Sequence, residues 1–265
     1  MFRQYKGIIR NGLASILTYR EHFITTGISF LVYYVVLYYL WNAVYAGSGG
    51  TINGVTFSSA FVTLSLTGCL LQCMNGGIEW DMCFDMIQGD IIIKLVRPTD
   101  YMLYMYSEKW GLALSSIFLF AIPVFVITGF LFPGELYLGW NIIPFLVSLF
   151  ISFGMMFLLE FMVGLLTFST QSVWGLSTLK ELIVGFFAGT TVPIAFFPKG
   201  LLAVTNVLPF KSMYYDPVRM LMDRELGFDG CMRIIGFELV WFLVLLVLAR
   251  LLYRVMSRRI VVNGG

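Results

Sequence analysis

The chain has 265 residues, 59% of them apolar and 12% charged, against about 45–50% and about 25% in an average soluble domain. A core of this size cannot hide so much apolar surface, so lipid is the remaining solvent, in keeping with a mean hydropathy of +0.86, and disorder is excluded on the same numbers. A net charge of +2 does not recruit a polyanion, which removes nucleic acid as a partner, and one histidine with four scattered cysteines leaves no HExxH protease site, no histidine triad and no disulfide framework.

The elements are predicted in chain order. In residues 2–20, Phe2, Tyr5, Ile9, Leu13 and Ile16 share one helical face and Arg3, Lys6 and Arg10 the neighbouring one, which reads as an interfacial helix, either a plain anchor or an arm that also touches a cytoplasmic partner. A crossing needs about 20 mostly apolar residues. Six segments qualify, near 23–46, 56–75, 111–132, 142–168, 177–198 and 232–253, the fifth weakened in its second half by Pro193 and Pro198. The first lacks the features of a cleaved signal peptide and is expected to stay, with the mature chain beginning at Met1. On span 2, Cys69 and Cys73 stack on one helical face as packing residues.

Residues 76–110 form a large excursion between spans 2 and 3 that carries Glu79, Asp81, Asp85, Asp90, Asp100 and Glu108. From 78 to 87, Trp80, Cys83, Phe84 and Ile87 recur at helical spacing, with Asp81 and Asp85 on another face. Aromatic anchors flanked by negative charge suit a groove on a soluble partner better than an anionic lipid surface, which would repel them.

Span 4 holds Glu160 in MMFLLEFMVGL. An ionised carboxylate at that depth costs of order 2.5 kcal/mol or more, so Glu160 should avoid lipid. A packing role, protonated or paired, is preferred over a proton or cation contact. Lys180, Glu181 and Glu238 sit close to interfaces and are expected to snorkel or pair. In residues 199–231, Asp216 is expected to cap a helix that starts at Pro217 and ends at Gly227, while 200–208 is too apolar for an exposed loop and should dip into the membrane or cover the bundle.

With six spans the termini share a side, and 12 of the 17 cations lie there, so both ends are expected in the cytoplasm.

The stretches GDIIIKLVRPTDYMLYMYSEKWG (89–111) and VPIAFFPKGLLAVTNVLPFKSMYYDPVRM (192–220) resemble the membrane subunit of type-2 ABC exporters, in the bacterial six-span branch encoded beside a separate ATPase. The most specific pieces are Gly89-Asp90 followed by Leu95-x-Arg97-Pro98, and the Phe-Pro and Leu-Pro-Phe pairs ahead of Tyr214 to Pro217. The resemblance implies an all-α membrane protein: a connecting helix over 1–22, then one six-span domain over 23–265. A coupling helix lies between spans 2 and 3 and re-entrant extracellular helices between spans 5 and 6. It further implies two ABC ATPase subunits that carry ATP and Mg, a second permease (a copy of this chain or a related one), and the bacterial plasma membrane as location.

Under that resemblance Glu79, Trp80, Asp81, Phe84 and Asp85 are candidate ATPase-docking residues, with Arg97 and Pro98 ending the segment. The family's path along spans 2 and 5 makes Phe61, Ser65, Phe186 and Thr190 candidates to line a route for an amphipathic or hydrophobic cargo. Gly185 and Gly189 form a G-x-x-x-G that lets a helix approach, from a second subunit or from within this one. No phosphate loop is present, so the engine must be another chain and this one is a transport subunit without its own ATPase site. A proton- or ion-coupled carrier and a passive scaffold or immunity protein are the competing readings. The first would place more ionisable groups at mid-membrane.

Overall fold

A computed structural model describes residues 20–96, 100–170 and 172–256. The interfacial helix expected over 2–20, and Arg97 and Pro98, lie outside the described residues. In order, the helices are α1 (Arg20–Ala46), α2 (Phe57–Met74), α3 (Ile78–Gln88), α4 (Ile91–Val96), α5 (Tyr101–Ser116), α6 (Ile122–Leu131), α7 (Ile142–Thr170), α8 (Trp174–Phe187), α9 (Lys199–Val207), α10 (Phe210–Met222) and α11 (Gly227–Met256). Between α1 and α2 a two-stranded hairpin, β1 (Thr51–Ile52) and β2 (Val55–Thr56), turns on Asn53 and Gly54, both at positive φ (51° and 78°). An Asn-Gly pair is the chemistry that such a tight turn requires.

Five helical stretches among the described residues are long and apolar enough to cross a membrane: 24–46, 57–88, 101–131, 142–168 and 227–256. The third is α5 and α6 joined through a π-turn at Ile117–Ala121, next to Pro123, which has no N–H to give the carbonyl four residues back. It starts at Tyr101, so the last ten residues of the expected excursion already belong to this helix.

The fifth expected span, 177–198, is not one continuous helix. Helix α8 has 14 residues, roughly 21 Å at 1.5 Å per residue, short of a hydrocarbon core of about 30 Å. It closes where Gly189 adopts φ +69°, and a Cβ there would stand 2.5 Å from Ile194 Cγ1. Gly189 therefore serves a turn and not a helix face, which removes the G-x-x-x-G reading. Gly189→Ala is expected to cost about 1–2 kcal/mol from the left-handed backbone alone, more with the Ile194 clash, and thermal unfolding in detergent measures it.

Beyond the turn, Asn53 Nδ2 donates to the Ala195 carbonyl at 3.3 Å, and Phe196 packs on Trp41. The other end of α8 lies against α3, where Ser177 Oγ donates to Glu79 Oε1. Residues 174–197 thus connect the α3 end of the bundle to the hairpin end.

Helix α10 also departs from expectation. It runs through Pro217 from Phe210, and Asp216 lies inside it, not at a cap. Pro209 starts the helix and α10 packs on α7 and α2, and that burial outweighs the hydrogen bond Pro217 cannot make. Gly227 opens α11 instead of closing the preceding helix. The α10 C-terminal carbonyls are claimed by the loop before α7: Asn141 Nδ2 donates to the Met220 carbonyl at 2.5 Å and Tyr137 N–H to the Leu221 carbonyl at 2.7 Å.

Helix α7 is the axis of the bundle, buried continuously from Ile151 to Leu158 and flanked by α3, α10 and α11. The outward faces of α1, α5–α6 and α11 keep large apolar side chains exposed, as lipid contact requires. Glu238, expected to snorkel or pair, is fully buried in α11 and accepts from Ser148 Oγ of α7 at 2.5 Å.

Candidate functional site

Three elements meet under α3. Helix α2 ends at Met74, and Asn75-Gly76-Gly77 turns the chain into α3, with Gly77 at φ +61°. The face of α3 formed by Ile78, Glu79, Met82 and Cys83 is buried. Cys83 therefore sits on the inner face, apart from the exposed Phe84 and Ile87 with which the periodicity groups it.

The inner face carries charge. Lys180 Nζ of α8 lies 2.6 Å from Glu79 Oε1 and 3.4 Å from Glu160 Oε1, and all three residues are buried. Ser177 Oγ donates to the same Glu79 oxygen at 2.7 Å. Glu160 Oε1 accepts the Gly76 N–H at 2.8 Å, so a residue deep in α7 grips the turn between α2 and α3. A second lysine repeats the arrangement from α5: Lys109 Nζ donates to the Gly76 carbonyl at 2.5 Å and to Asp81 Oδ2 at 2.6 Å. Three carboxylates and two lysines thus tie α3 to α5, α7 and α8.

Buried charges of this kind hold only while paired, because the desolvation of each is offset by its neighbour alone. Glu160 is paired with Lys180 and accepts the Gly76 N–H. Lys180, expected to snorkel or pair, pairs at the centre of the network, and its partner was invisible without the fold because Glu79 is 101 positions away along the chain.

The outer face of α3 is apolar. Phe84 is 51% exposed and Ile87 58%, and Trp80 packs on Phe84 with ring centroids 6.2 Å apart while its Nε1 donates to Ser177 Oγ. Ile92 and Ile93 of α4 add exposed apolar surface beside them. Of the candidate docking residues, Trp80, Phe84 and Asp81 thus reach the surface, while Glu79 is turned wholly inward and Asp85 is held by Lys94 Nζ at 2.5 Å. Burial alone would pull the Lys94 ammonium down, but Asp85 outweighs it and holds the group above its ordinary value.

At the start of α5, Asp100 caps the helix by accepting the Leu103 N–H at 3.0 Å and pairs with Arg250 of α11. Burial raises its carboxyl, and Arg250 with the backbone N–H groups more than offsets that, leaving it below the ordinary carboxylate range. Its contribution is therefore present at neutral pH and lost as the pH falls through that lowered value. Asp100→Ala is expected to cost about 1 kcal/mol at pH 7, with the gap to the unmodified protein closing in acid. Melts of both across pH check it.

The candidate path residues do not form one wall. Phe61 is packed among Tyr38, Phe57 and Phe132, Ser65 is fully buried, and Phe186 stacks on Phe197 at 5.2 Å on an exposed flank. Thr190 does line a groove of about 260 Å³ between α1, α2 and the turn after α8, with Ser29, Tyr33, Gly68 and Gln72. Among the described residues no charged side chain lines it.

No curated protein and no solved structure matches the chain at a significant level. The family model described as ABC-2 family transporter protein matches residues 31–264. That span takes in the α2–α3 turn, the lysine network, four candidate crossings whole and most of the first, and the chain is accordingly a multi-pass membrane permease that belongs to the ABC-2 transporter family.

Proposed function

We propose that the chain is the permease of an ATP-driven exporter in which α3 is the helix gripped by a separate ATPase. The observation that carries this reading is the two-sidedness of α3: one face bonded into the bundle through Glu79, Gly76 and Asp81, the other presenting Trp80, Phe84 and Ile87. A rigid helix that is pulled from outside and bonded inside passes displacement to the helices it is bonded to. Here those are α7, the bundle axis, and α8, which leads to the groove beside Thr190. ATP and Mg belong to the ATPase, and this chain's part is to receive and transmit the movement.

In this reading α8 and the turn after it act together as a sixth crossing, both termini are cytoplasmic, and α3 projects on the cytoplasmic side of the bacterial plasma membrane. The working unit is two permeases, this chain with a copy or a related chain, and two ATPases. The uncharged groove, with its hydroxyls and aromatic rings, suits an amphipathic cargo without fixed charge. A carrier would place more ionisable groups at mid-membrane, and Glu160 of span 4 is bonded to the Gly76 N–H and paired with Lys180.

The test is Phe84→Ala, alone and with Trp80→Ala, in the reconstituted complex. Truncating a central aromatic anchor costs about 2–4 kcal/mol at an interface, so ATPase binding should weaken by about 30-fold or more. ATP-driven transport should fall with it while the permease carrying Phe84→Ala alone melts as before. Unchanged binding and transport would remove α3 from the interface.

A further inference from the structure

A cavity of about 190 Å³ lies between α9, α10 and α11. It sits at the end of the bundle away from α3, since α11 begins there at Gly227 and pairs with Asp100 through Arg250 near its other end. Its polar wall holds Asn206, Lys211, Asp216 and Arg233, and its apolar wall Ile234 and Phe237. It is smaller than the roughly 300–1,000 Å³ of a drug-sized ligand site, so it takes a small polar head and not a whole cargo.

Its charges are incompletely matched. Asp216 is 7% exposed, yet its Oδ1 accepts no hydrogen bond: Lys211 Nζ stands 3.5 Å off and donates to Asn206 Oδ1 at 2.8 Å instead. Burial pushes the Asp216 carboxyl up, with Lys211 and Arg219 opposing the shift. Arg219 is itself drawn to Asp223 at 3.0 Å. Arg233 donates Nε–H to the Asp229 carbonyl at 3.3 Å, which leaves the fork of its guanidinium for an oxyanion. A buried carboxylate short of a donor therefore shares one cavity with two cations.

The cavity does not end at Phe237. Val240, Val244 and Val247 follow it at helical spacing along α11, all exposed, so the apolar wall continues as a stripe toward the middle of the bundle. Trp241 on the same helix anchors the end of α9 through Nε1 to the Val207 carbonyl at 3.1 Å. A polar cavity that opens onto an apolar stripe at one end of a membrane bundle fits a lipid, head in the cavity and chain along the helix. We propose that it holds the headgroup of a phospholipid bearing a primary ammonium, of the phosphoethanolamine type, with the ammonium on Asp216 and the phosphate on Lys211 and Arg233. A primary ammonium supplies the hydrogen bond that Asp216 Oδ1 lacks. A quaternary one cannot, and a glycerol head offers only neutral hydroxyls, which bond a buried carboxylate less strongly than a cation does.

The test uses the full chain, purified and delipidated in detergent, with native mass spectrometry of bound lipid. Phosphatidylethanolamine, phosphatidylcholine and phosphatidylglycerol of identical acyl chains are compared, with soluble phosphoethanolamine as a separate arm. Retention of the ethanolamine lipid is expected to exceed that of the other two by about tenfold, the worth of one charge-assisted hydrogen bond. Asp216→Asn should bring ethanolamine down to the choline level, and Arg233→Ala should weaken both alike. Arg233 is exposed, so that variant keeps the fold, and the lipid series on the unmodified chain needs no variant at all. Equal retention of ethanolamine and choline lipids, preference for the glycerol lipid, or no effect of Arg233→Ala would overturn the assignment. Soluble phosphoethanolamine binding as tightly as the lipid would overturn it as well, by showing a site for a free small molecule.

Discussion

Replacing Lys180 with methionine is expected to destabilise the permease by about 3–5 kcal/mol, the cost of leaving buried carboxylates without their cation. Glu79 would lose a partner at 2.6 Å and Glu160 one at 3.4 Å, in a place no water reaches. Glu160 would keep the Gly76 N–H and Glu79 the Ser177 hydroxyl, so the fold loosens first at α3. The expected result is a lower midpoint of thermal unfolding in detergent together with weaker stimulation of the ATPase. The compensated variant, Lys180→Met with Glu79→Gln and Glu160→Gln, removes the stranded charge while retaining acceptors for Ser177 and Gly76. It should recover most of the stability, since replacing a whole buried ion network is often close to neutral. Lys180→Met melting like the unmodified chain would show that the network does not hold α3.

The second large effect is expected at Gly164 of α7. A Cβ there would stand 2.5 Å from Met82 Sδ, 3.3 Å from Met82 Cβ and 3.2 Å from the Glu79 Cα. The sulfur ends a flexible side chain and can move aside, whereas the Glu79 Cα is backbone and can move only with α3. Gly164→Ala should therefore cost about 1–3 kcal/mol as an overpacked contact, and Met82→Ala should relieve part of it. A double-mutant cycle reads the coupling directly. Gly164→Leu cannot be accommodated without driving α3 off α7, and it is expected to abolish ATPase stimulation while the remaining helices stay assembled. The separation can be followed by cross-linking cysteines placed on the two helices. Full stimulation by the leucine variant would mean that the α3–α7 contact transmits nothing.

Most of the architecture was legible along the chain because its causes are local. Five of the six apolar segments became long helices, and α3 appeared at Ile78–Gln88, where the aromatic spacing placed a helix over 78–87. The fifth segment is broken at Gly189, because hydropathy averages over a window and does not register one residue in a left-handed turn. Helix α10 was misplaced for a related reason: Asp216-Pro217 is a strong start signal, and tertiary burial overrode it. The hairpin at Asn53-Gly54 could have been found from that dipeptide alone. Among site residues, exposure of Phe84 followed from helical phase. The inward turn of Glu79 did not, since a carboxylate reads as a surface group until its lysine is known.

The sequence alone determined that this is a largely helical membrane protein, and that a short aromatic helix follows the second crossing. Transfer of apolar side chains to lipid and closure of backbone hydrogen bonds within a helix depend only on residues a few positions apart. Which face of that helix is bonded and which is offered was decided by the tertiary structure. The partners of Glu79, Gly76 and Asp81 stand 28 to 101 positions away in α5, α7 and α8. A buried ion pair exists only where three-dimensional packing removes water and sets an opposite charge within reach.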